Sequence, residues 1–200
     1  HALTTDAPWQ VGYAPDTAYG LVTHLSKLGY SNEELLTAGL VTYAKSGALI
    51  DRFRERVVLP VIDSQGDPVA FVGRNTPASD HPAKWLNSPE SPIYSKKDVL
   101  FGVGQQRQAL AAGARPVIVE GPFDVLAVAG AYQGEGAALA AVAPCGTALT
   151  ADQLTELDAA AAPGAGVVVA FDGDKAGQKA AVRAYDLLGR HPGPVHAAPP

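Results

Sequence analysis

Two carboxylates that directly follow an apolar run are the residues of this sequence with the clearest chemistry. Asp172 and Asp174 come after the run 167–171 and are separated by Gly173. The run is β-branched at three positions, which is typical of a strand buried on both faces of a parallel sheet. Open α/β sheets bind ligands at the ends of such strands, and two acids there can offer oxygen ligands to a hard cation such as Mg²⁺. The alternative is that Asp174 only caps the following helix.

Two further acids follow an earlier apolar run. Glu120 comes directly after residues 116–119, and Asp124 lies one helical turn later. With a suitable strand order the carboxylate of Glu120 faces those of Asp172 and Asp174, because the carboxyl ends of parallel strands share one edge of the sheet. The four acids together predict an acidic cluster that binds divalent cations.

Residues 115–200 alternate between β and α patterns, which predicts a Rossmann-like α/β domain with a parallel sheet. Thr150 and Gln153 form a capping box at the start of one helix. The predicted strands are 116–119, 138–143, 167–171 and 194–198, and the predicted helices are 125–132, 150–161 and 175–188.

Residues 1–114 lack this alternation and predict a smaller mixed α+β subdomain that precedes the parallel sheet. Asp16 is the predicted cap of a first helix, and Ser31 with Glu34 forms a capping box for a second. We expect the two subdomains, 1–114 and 115–200, to be separate lobes with a cleft between them.

The middle of the chain is basic. Residues 45–115 hold ten Lys or Arg and seven acids, whereas residues 116–200 hold four and nine. This division of charge is typical of a protein that binds phosphates with one part and metal ions with another. The simpler alternative is that these are solvated surface charges without a binding role. Three arginines stand at spacing two, which on a strand means one face: Arg52, Arg54 and Arg56.

A hairpin and a loop follow these arginines. Residues 57–63 and 68–74 are predicted strands, and the Pro-rich segment 77–92 is a predicted loop that carries Lys84 and Trp85. Trp85 can stack on a base or anchor the loop. A further helix is predicted over residues 104–112, near the basic residues Lys96 and Lys97.

Composition excludes several classes of protein. The chain is 47% hydrophobic and 18% charged with a net charge of −5, which is a soluble globular composition. The single cysteine, Cys145, excludes an internal disulfide framework and favours a cytoplasmic protein, and no apolar run is long enough to span a membrane. The five histidines show no metal-ligand spacing. A chain without Met that starts at His1 is expected to be a piece of a longer protein.

Three motifs, in this order and spacing, resemble the toprim domain of bacterial DnaG-type primases. They are Glu120-Gly-X-X-Asp124, Gly146-Thr-Ala-Leu-Thr150 and Phe171-Asp-Gly-Asp-X-Ala-Gly177. The resemblance extends upstream over nearly the whole chain. The matching segments there are Gly12-Tyr-Ala-Pro15, Ala38-Gly-Leu40, Asp51-Arg-Phe-Arg-X-Arg56, Phe71-X-Gly-Arg74, Lys84-Trp-Leu-Asn-Ser-Pro-Glu90, and Ile93-Tyr-Ser-Lys96 through Leu100-Phe-Gly102.

The resemblance implies that the chain is the core of a nucleotidyltransferase. By resemblance it makes RNA primers from ribonucleoside triphosphates on a single-stranded DNA template, with Mg²⁺ or Mn²⁺, expected as two ions, and with a replicative helicase or other domains of the parent protein as partners. Glu120 is then a metal ligand and a proton-transfer group. The remaining implied metal ligands are Asp124, Asp172 and Asp174, and the implied nucleotide or DNA contacts are Arg52, Arg54, Arg56, Arg74, Lys84 and Lys96.

The sequence also departs from the family pattern. Val72 stands where the family usually has a second glycine, and Pro122-Phe123 replaces the usual aromatic and variable pair. A non-catalytic toprim module that binds nucleotides or single-stranded DNA for a larger plasmid-transfer or replication protein is therefore an open alternative. A haloacid-dehalogenase-type phosphatase with Asp172 as nucleophile is a second alternative, but it needs motifs further downstream than the 26 residues after Asp174 allow.

Overall fold

The structure, a computed structural model, describes residues 8–77, 79, 81–131, 138–189, 191 and 193–198. The chain forms two compact units. The first, here called the N-terminal unit, consists of residues up to 60 and residues 69–95; the second, here called the parallel-sheet unit, consists of residues 61–68 and residues from 96 onward.

The N-terminal unit is built on an antiparallel sheet, two of whose strands extend by residues 61, 62 and 68 into the segment assigned to the other unit. Its elements are β1 (Gly12–Ala14), α1 (Gly20–Lys27), α2 (Asn32–Thr37), β2 (Val41–Tyr43), β3 (Leu49–Asp51), β4 (Arg56–Ile62), β5 (Pro68–Asn75) and β6 (Trp85–Asn87). Four strands form one sheet in the order β1-β4-β5-β6, and β2 pairs with β3 in a separate hairpin. The rings of Phe53 and Phe71 pack edge to face in this unit with their centroids 6.2 Å apart.

The parallel-sheet unit alternates strands and helices. Its elements are β7 (Leu100–Phe101), α3 (Val103–Ala111), β8 (Arg115–Ile118), α4 (Pro122–Ala131), β9 (Leu139–Pro144), α5 (Ala151–Ala160), β10 (Val167–Val169), α6 (Lys175–Leu188) and β11 (Val195–Ala197). The strand order is β11-β10-β8-β9-β7, with β7 antiparallel and the other four strands mutually parallel. The predicted fold class, a Rossmann-like parallel sheet preceded in sequence by a mixed α+β unit, is confirmed.

The parallel strands are apolar because helices cover both faces of the sheet. Ile118, Val142 and Val167 are buried in one core together with Leu157 of α5 and Leu188 of α6. A strand with solvent on one face would alternate apolar and polar residues, whereas these strands are near-continuous apolar runs. This burial fixes the strands in register and so fixes the loops that follow them.

The direction of the crossovers creates a crevice between β8 and β10. In the strand order, the connection after β8 leads to β9 on one side of β8, and the connection after β10 leads in the opposite direction to β11. Because strand-helix-strand crossovers are right-handed, α4 and α6 lie on opposite faces of the sheet. The neighbouring strands β8 and β10 therefore form the topological switch point, which is where open α/β sheets bind ligands.

Local capping signals in the sequence were partly correct. Both capping boxes are present, Ser31 with Glu34 before α2 and Thr150 with Gln153 before α5. The prediction that Asp16 caps α1 is wrong, since the carboxylate of Asp51 accepts the Leu21 and Val22 N–H groups at 2.8 Å from the distant strand β3. No described helix is both long and apolar enough to cross a membrane.

Two further predictions for residues 52–92 are wrong. Residues 52–55 lie between β3 and β4 rather than in a strand, so the three arginines do not share a strand face. The Pro-rich segment 77–92 contains the strand β6, in which Trp85 lies opposite Arg74 of β5. Sheet pairing outweighs the local preference of this segment for a loop.

The other element boundaries differ by a few residues from the predictions. Helix α4 begins at Pro122, inside the predicted turn, because proline is well tolerated in the first turn of a helix. Its predicted last residue, Tyr132, lies outside the described residues. Residues 61–68 and 96–114 pack in the parallel-sheet unit. The division into domains at residue 114 stays a prediction.

One buried acid makes the stability of the parallel-sheet unit depend on pH. Burial, the largest cause, and the nearby carboxylates of Asp63 and Asp98 together raise the pKa of Glu156 to about 7, against hydrogen bonds from the Leu100 and Ser64 N–H groups that lower it. The Leu100 N–H donates to Glu156 Oε2 at 3.0 Å. The folded protein therefore binds this proton more tightly than the unfolded chain does.

We predict that the stability contributed by protonated Glu156 is complete below pH 4.5 and is lost as the pH rises to about 7. Glu156→Gln keeps the acceptor for Leu100 and removes the charge. It should raise the free energy of unfolding at pH 8 by at most about 3 kcal/mol and leave it nearly unchanged at pH 4.5. The gain at pH 8 should fall below this bound, because solvent screens the charge of a partly exposed group. Denaturant unfolding at both pH values measures this difference; equal differences at both would contradict it.

Candidate active site

Glu120 and Asp172 meet at the switch point because their strands are neighbours. Val168 and Val169 of β10 pair with Val117 and Ile118 of β8 in parallel register. One carboxylate oxygen of Glu120, Oε1, accepts the backbone N–H of Asp172 at 3.0 Å. Two acids more than fifty residues apart in sequence thus belong to one edge of the sheet.

Asp174 is held as the N-cap of α6. Its Oδ1 accepts the N–H groups of Ala176 and Gly177, each at 2.8 Å. The capping interpretation of Asp174 is therefore confirmed, and these two bonds use only one of its two carboxylate oxygens. Asp124 is held in a similar way in the first turn of α4, where its Oδ2 accepts the Gly121 N–H at 3.0 Å.

The electrostatic surroundings of this edge suit charged ligands. All four acids, Glu120, Asp124, Asp172 and Asp174, are exposed to solvent. Helices α4 and α6 begin within three residues of these acids in the sequence. The N-terminus of a helix carries a partial positive charge, which stabilises carboxylates and phosphates.

Gly177 brings α6 close to the two acids. A Cβ at this position would clash with the backbone carbonyl of Asp172 and with Oε1 of Glu120. No side chain fits without moving the Asp172 loop, since the first of these contacts is to backbone. The glycine therefore permits the hydrogen bond between Glu120 and Asp172.

A cavity of about 210 Å³ opens beside Glu120, between the segment after β9 and helix α6. Glu120 and Arg183 are the charged residues of its lining, and most of the remainder is apolar. The other lining residues are Pro144, Thr147, Ala148, Leu149, Phe171, Ala176, Ala180 and Ala184. The sequence motifs did not indicate Arg183, because its place in the cavity lining follows from the packing of α6 and not from a local sequence pattern.

A compact set of metal-ligating atoms lies elsewhere. Within the described residues, the one group of three ligand atoms that all lie within 4.8 Å of one another comes from Asp16, Glu55 and His81 of the N-terminal unit. The sequence spacing of the histidines gave no sign of it, because the three residues are far apart in the chain. The metal-binding role of Glu120 and the other three acids stays a prediction.

Two of the predicted phosphate-binding arginines have structural partners. The Arg52 guanidinium donates to the Asn87 carbonyl at 2.9 Å, and burial lowers its pKa. Arg56 is 4% exposed and donates to the Ala83 carbonyl at 3.0 Å. Both side chains therefore tie the segment around β6 to the body of the N-terminal unit.

The other basic residues differ in their exposure and in their contacts. The Arg74 guanidinium lies over the Trp85 ring, 5.0 Å from its centroid, so Trp85 anchors this arginine. Lys84 is exposed, whereas Arg54 is half-buried. Lys96, also half-buried, belongs to the parallel-sheet unit, where its carbonyl accepts from the Gln153 amide at 2.7 Å.

Comparison with known proteins identifies the family. A profile of the DNA primase catalytic core, N-terminal domain, matches residues 3–107, and a Toprim-like profile matches residues 117–195. The chain is 39% identical over 180 residues to the DNA primase of Streptomyces coelicolor and 38% identical over 185 residues to that of Deinococcus radiodurans. These alignments cover 88% and 92% of this chain but 27% and 31% of the two primases, so the chain spans less than a third of their length.

Solved structures agree with the sequence matches. The RNA polymerase domain of Mycobacterium tuberculosis primase DnaG superimposes with a TM-score of 0.80 at 32% identity and covers 96% of this chain and 62% of that chain. A DnaG primase catalytic domain bound to single-stranded DNA gives a TM-score of 0.75 at 35% identity over 90% of this chain and 53% of that chain. The parallel sheet with its acidic edge is that of a toprim protein. Together, the toprim match and the match of the N-terminal profile show that the chain belongs to the family of DnaG-type DNA primase catalytic cores.

We predict that Gly177→Ala destabilises the protein by about 1–3 kcal/mol, because the added methyl group forces the Asp172 backbone to move. Gly130→Ala is the matched control in α4, where a Cβ would meet no atom within 4 Å. That control should instead stabilise the helix by about 0.5–1 kcal/mol. Denaturant unfolding measures both effects, and equal stabilities of the two variants would contradict the role assigned to Gly177.

Proposed function

We propose that this chain is the catalytic core of a DNA primase and joins ribonucleotides into short RNA primers on single-stranded DNA. Membership of the DnaG-type family supports the reaction class. The hydrogen bond between Glu120 and the backbone of Asp172 supports the acidic edge as the place of the reaction. It joins two of the acidic motifs at the edge of the sheet where α/β proteins bind ligands.

The acidic edge suits divalent cations. Glu120, Asp124, Asp172 and Asp174 offer carboxylate oxygens, the donors that Mg²⁺ and Mn²⁺ prefer, and all four side chains reach solvent. We propose that these residues bind two such ions. When bound, the ions neutralise the negative charge on the attacking and leaving oxygens of the phosphoryl transfer.

The residues of the chain itself position the reactants. Glu120 is the group placed to accept a proton from an attacking 3′-hydroxyl, because its second carboxylate oxygen is outside the bond to Asp172. The Gly121 and Gly177 peptide groups hold Asp124 and Asp174 in fixed orientations, so the site loses little entropy when it binds ligands. Arg183, across the cavity from Glu120, is available to a triphosphate.

The template is the proposed ligand of accessible basic residues. Arg74 lies in β5, Lys84 directly precedes the neighbouring strand β6, and both carry positive charge for backbone phosphates. A related DnaG catalytic domain has been solved with single-stranded DNA, and the M. tuberculosis domain with double-stranded DNA. We also propose as DNA or nucleotide contacts the residues Arg52, Arg54, Arg56 and Lys96. Arg52 and Arg56 in addition stabilise the fold, because their guanidiniums donate to backbone carbonyls. A replicative helicase or further domains of the parent protein stay proposed partners.

We predict that Asp172→Asn, Asp174→Asn and Glu120→Gln each reduce primer synthesis by on the order of 10² or more, because each removes a charge that the transition state needs. Each substitution keeps the acceptor or N–H that the fold uses, so the proteins should melt no lower than wild type without metal. Mn²⁺ should raise the melting temperature of wild type much more than that of the two Asn variants, by binding only the folded state.

Asp186→Asn is the matched control for these variants, since Asp186 is an exposed acid of α6 about three helical turns from Asp174. It should retain both activity and the response to Mn²⁺. A non-catalytic binding module would show the response to Mn²⁺ without primer synthesis in wild type. Full activity of Asp172→Asn would mean that the acidic edge is only a set of helix caps.

We predict that Arg74→Ala and Lys84→Ala weaken binding of single-stranded DNA and each lower the slope of log affinity against log salt by about 0.7, the contribution of one phosphate contact. Lys84→Ala should cost no more than about 1 kcal/mol of stability, because exposed charges contribute little. Arg74→Ala also removes the contact with the Trp85 ring, which adds about 0.5–2 kcal/mol. Lys45→Ala, an exposed lysine in the β2–β3 turn, is the control and should bind as wild type does. Fluorescence anisotropy at several salt concentrations measures the slopes; unchanged slopes in both variants would refute these contacts.

A further inference from the structure

Three distant residues of the N-terminal unit are brought together by the register of its sheet. β1 pairs with β4 so that Ala14 lies opposite Arg56. Asp16 follows β1 and Glu55 precedes β4, so both residues lie at the same end of this strand pair. His81 enters from the segment between β5 and β6. No two of these three residues are near each other in sequence.

The backbone of Glu55 connects the segments. Its N–H donates to the Pro15 carbonyl at 3.3 Å, and its carbonyl accepts the Thr76 N–H at 3.4 Å. Glu55 adopts a positive φ of 50°, which is uncommon outside glycine. The peptide groups of Glu55 thereby join the chain after β1 to the chain after β5.

The backbone of His81 is also fixed. Its carbonyl accepts from the Asn75 side-chain amide at 3.2 Å, and its N–H donates to the Ser79 hydroxyl at 3.3 Å. These bonds leave the imidazole ring free for other partners. The backbone position of His81 is therefore set by two hydrogen bonds.

The three side chains lie close together. One ligand atom from each, a carboxylate oxygen of Asp16, a carboxylate oxygen of Glu55 and a ring nitrogen of His81, lies within 4.8 Å of the other two. Within the part of the chain that the structure describes, none of these side chains makes a hydrogen bond or an ion pair. Glu55 interacts electrostatically with Arg56, whose guanidinium donates to the Ala83 carbonyl.

A cation would satisfy this arrangement. Two carboxylates at this distance repel each other, and a bound cation offsets that repulsion. Glu55 and His81 are half-buried and Asp16 is exposed, so the group is supported on one side and reachable by solvent on the other. A third ligand that is a nitrogen distinguishes the group from a cluster of acids, because imidazole selects zinc and its neighbours over Mg²⁺ and Ca²⁺.

We propose that Asp16, Glu55 and His81 bind one divalent transition-metal ion, of the class of Zn²⁺, Co²⁺ or Mn²⁺, at a site distinct from the acidic edge of the parallel-sheet unit. One nitrogen and two oxygens leave further coordination positions for water. The ion joins the segments that follow β1, precede β4 and separate β5 from β6, and it stabilises the end of the sheet that bears Arg74 and Trp85. This site does not depend on the proposed polymerase reaction.

The test is a titration of the full chain with Co²⁺ at pH 7.5, followed by visible absorption and by the melting temperature. Wild type should develop the d–d absorption of Co²⁺ bound to nitrogen and oxygen ligands and should melt at a higher temperature. His81→Gln and Asp16→Asn should each weaken this binding on the order of tenfold or more. Asp16 is exposed, so its variant tests the site without loss of a buried contact.

Two controls separate this site from the others. Asp172→Asn should leave the absorption band of nitrogen-ligated Co²⁺ unchanged, although it weakens binding of the ion at the acidic edge. His24→Ala removes an exposed histidine of α1 and should also leave it unchanged. The proposal is overturned if His81→Gln and Asp16→Asn bind Co²⁺ as wild type does, if wild type shows no nitrogen-ligated absorption at millimolar Co²⁺, or if only Asp172→Asn abolishes it.

Discussion

The parallel pairing of β8 with β10 is the constraint on which the candidate active site depends. It places the ends of two strands side by side and allows Glu120 to accept the backbone N–H of Asp172. The pairing is stable because both strands are buried between helices, with Ile118 and Val167 in one core. A hydrogen bond at the surface is thus positioned by apolar packing in the interior, and the glycine at 177 leaves room for it.

The N-terminal unit uses its charged residues differently. Asp51, which is 4% exposed, caps α1 from a strand, and the guanidiniums of Arg52 and Arg56 bind backbone carbonyls of the segment around β6. A buried charge must have such partners, because its desolvation is otherwise costly. These contacts give rigidity to the sheet that presents Arg74, whose charge lies over the Trp85 ring. The charged residues with such partners therefore serve the fold, whether they are buried like Arg56 or half-buried like Arg52.

Much of the parallel-sheet unit could be predicted from the sequence because its signals are local. Apolar runs that end in acids marked β8 and β10, and the Thr150–Gln153 capping box marked the start of α5. The predictions failed where a distant partner decides the outcome. Asp16 resembles a helix cap in sequence, but the α1 N–H groups are taken by Asp51, thirty residues away, through the fold.

The N-terminal site shows the same limit. Glu55 and His81 have no spacing that indicates a ligand set, and their proximity follows from the fold of the chain. The segment around β6 was misjudged because its proline content is a local signal and its pairing with β5 is not. The motif resemblance, by contrast, identified the family, because it rests on several matches in order along the chain.

The central claim, that the ends of β8 and β10 form one metal-binding edge, is tested most directly by metal-directed cleavage of the backbone. Fe²⁺ that replaces Mg²⁺ generates hydroxyl radicals with ascorbate and peroxide and cuts the chain next to its ligands. We expect two simultaneous cuts, one around residues 119–124 and one around residues 171–175, both suppressed by excess Mg²⁺. Cuts at only one of these places, or none at either while the protein is folded, would contradict it.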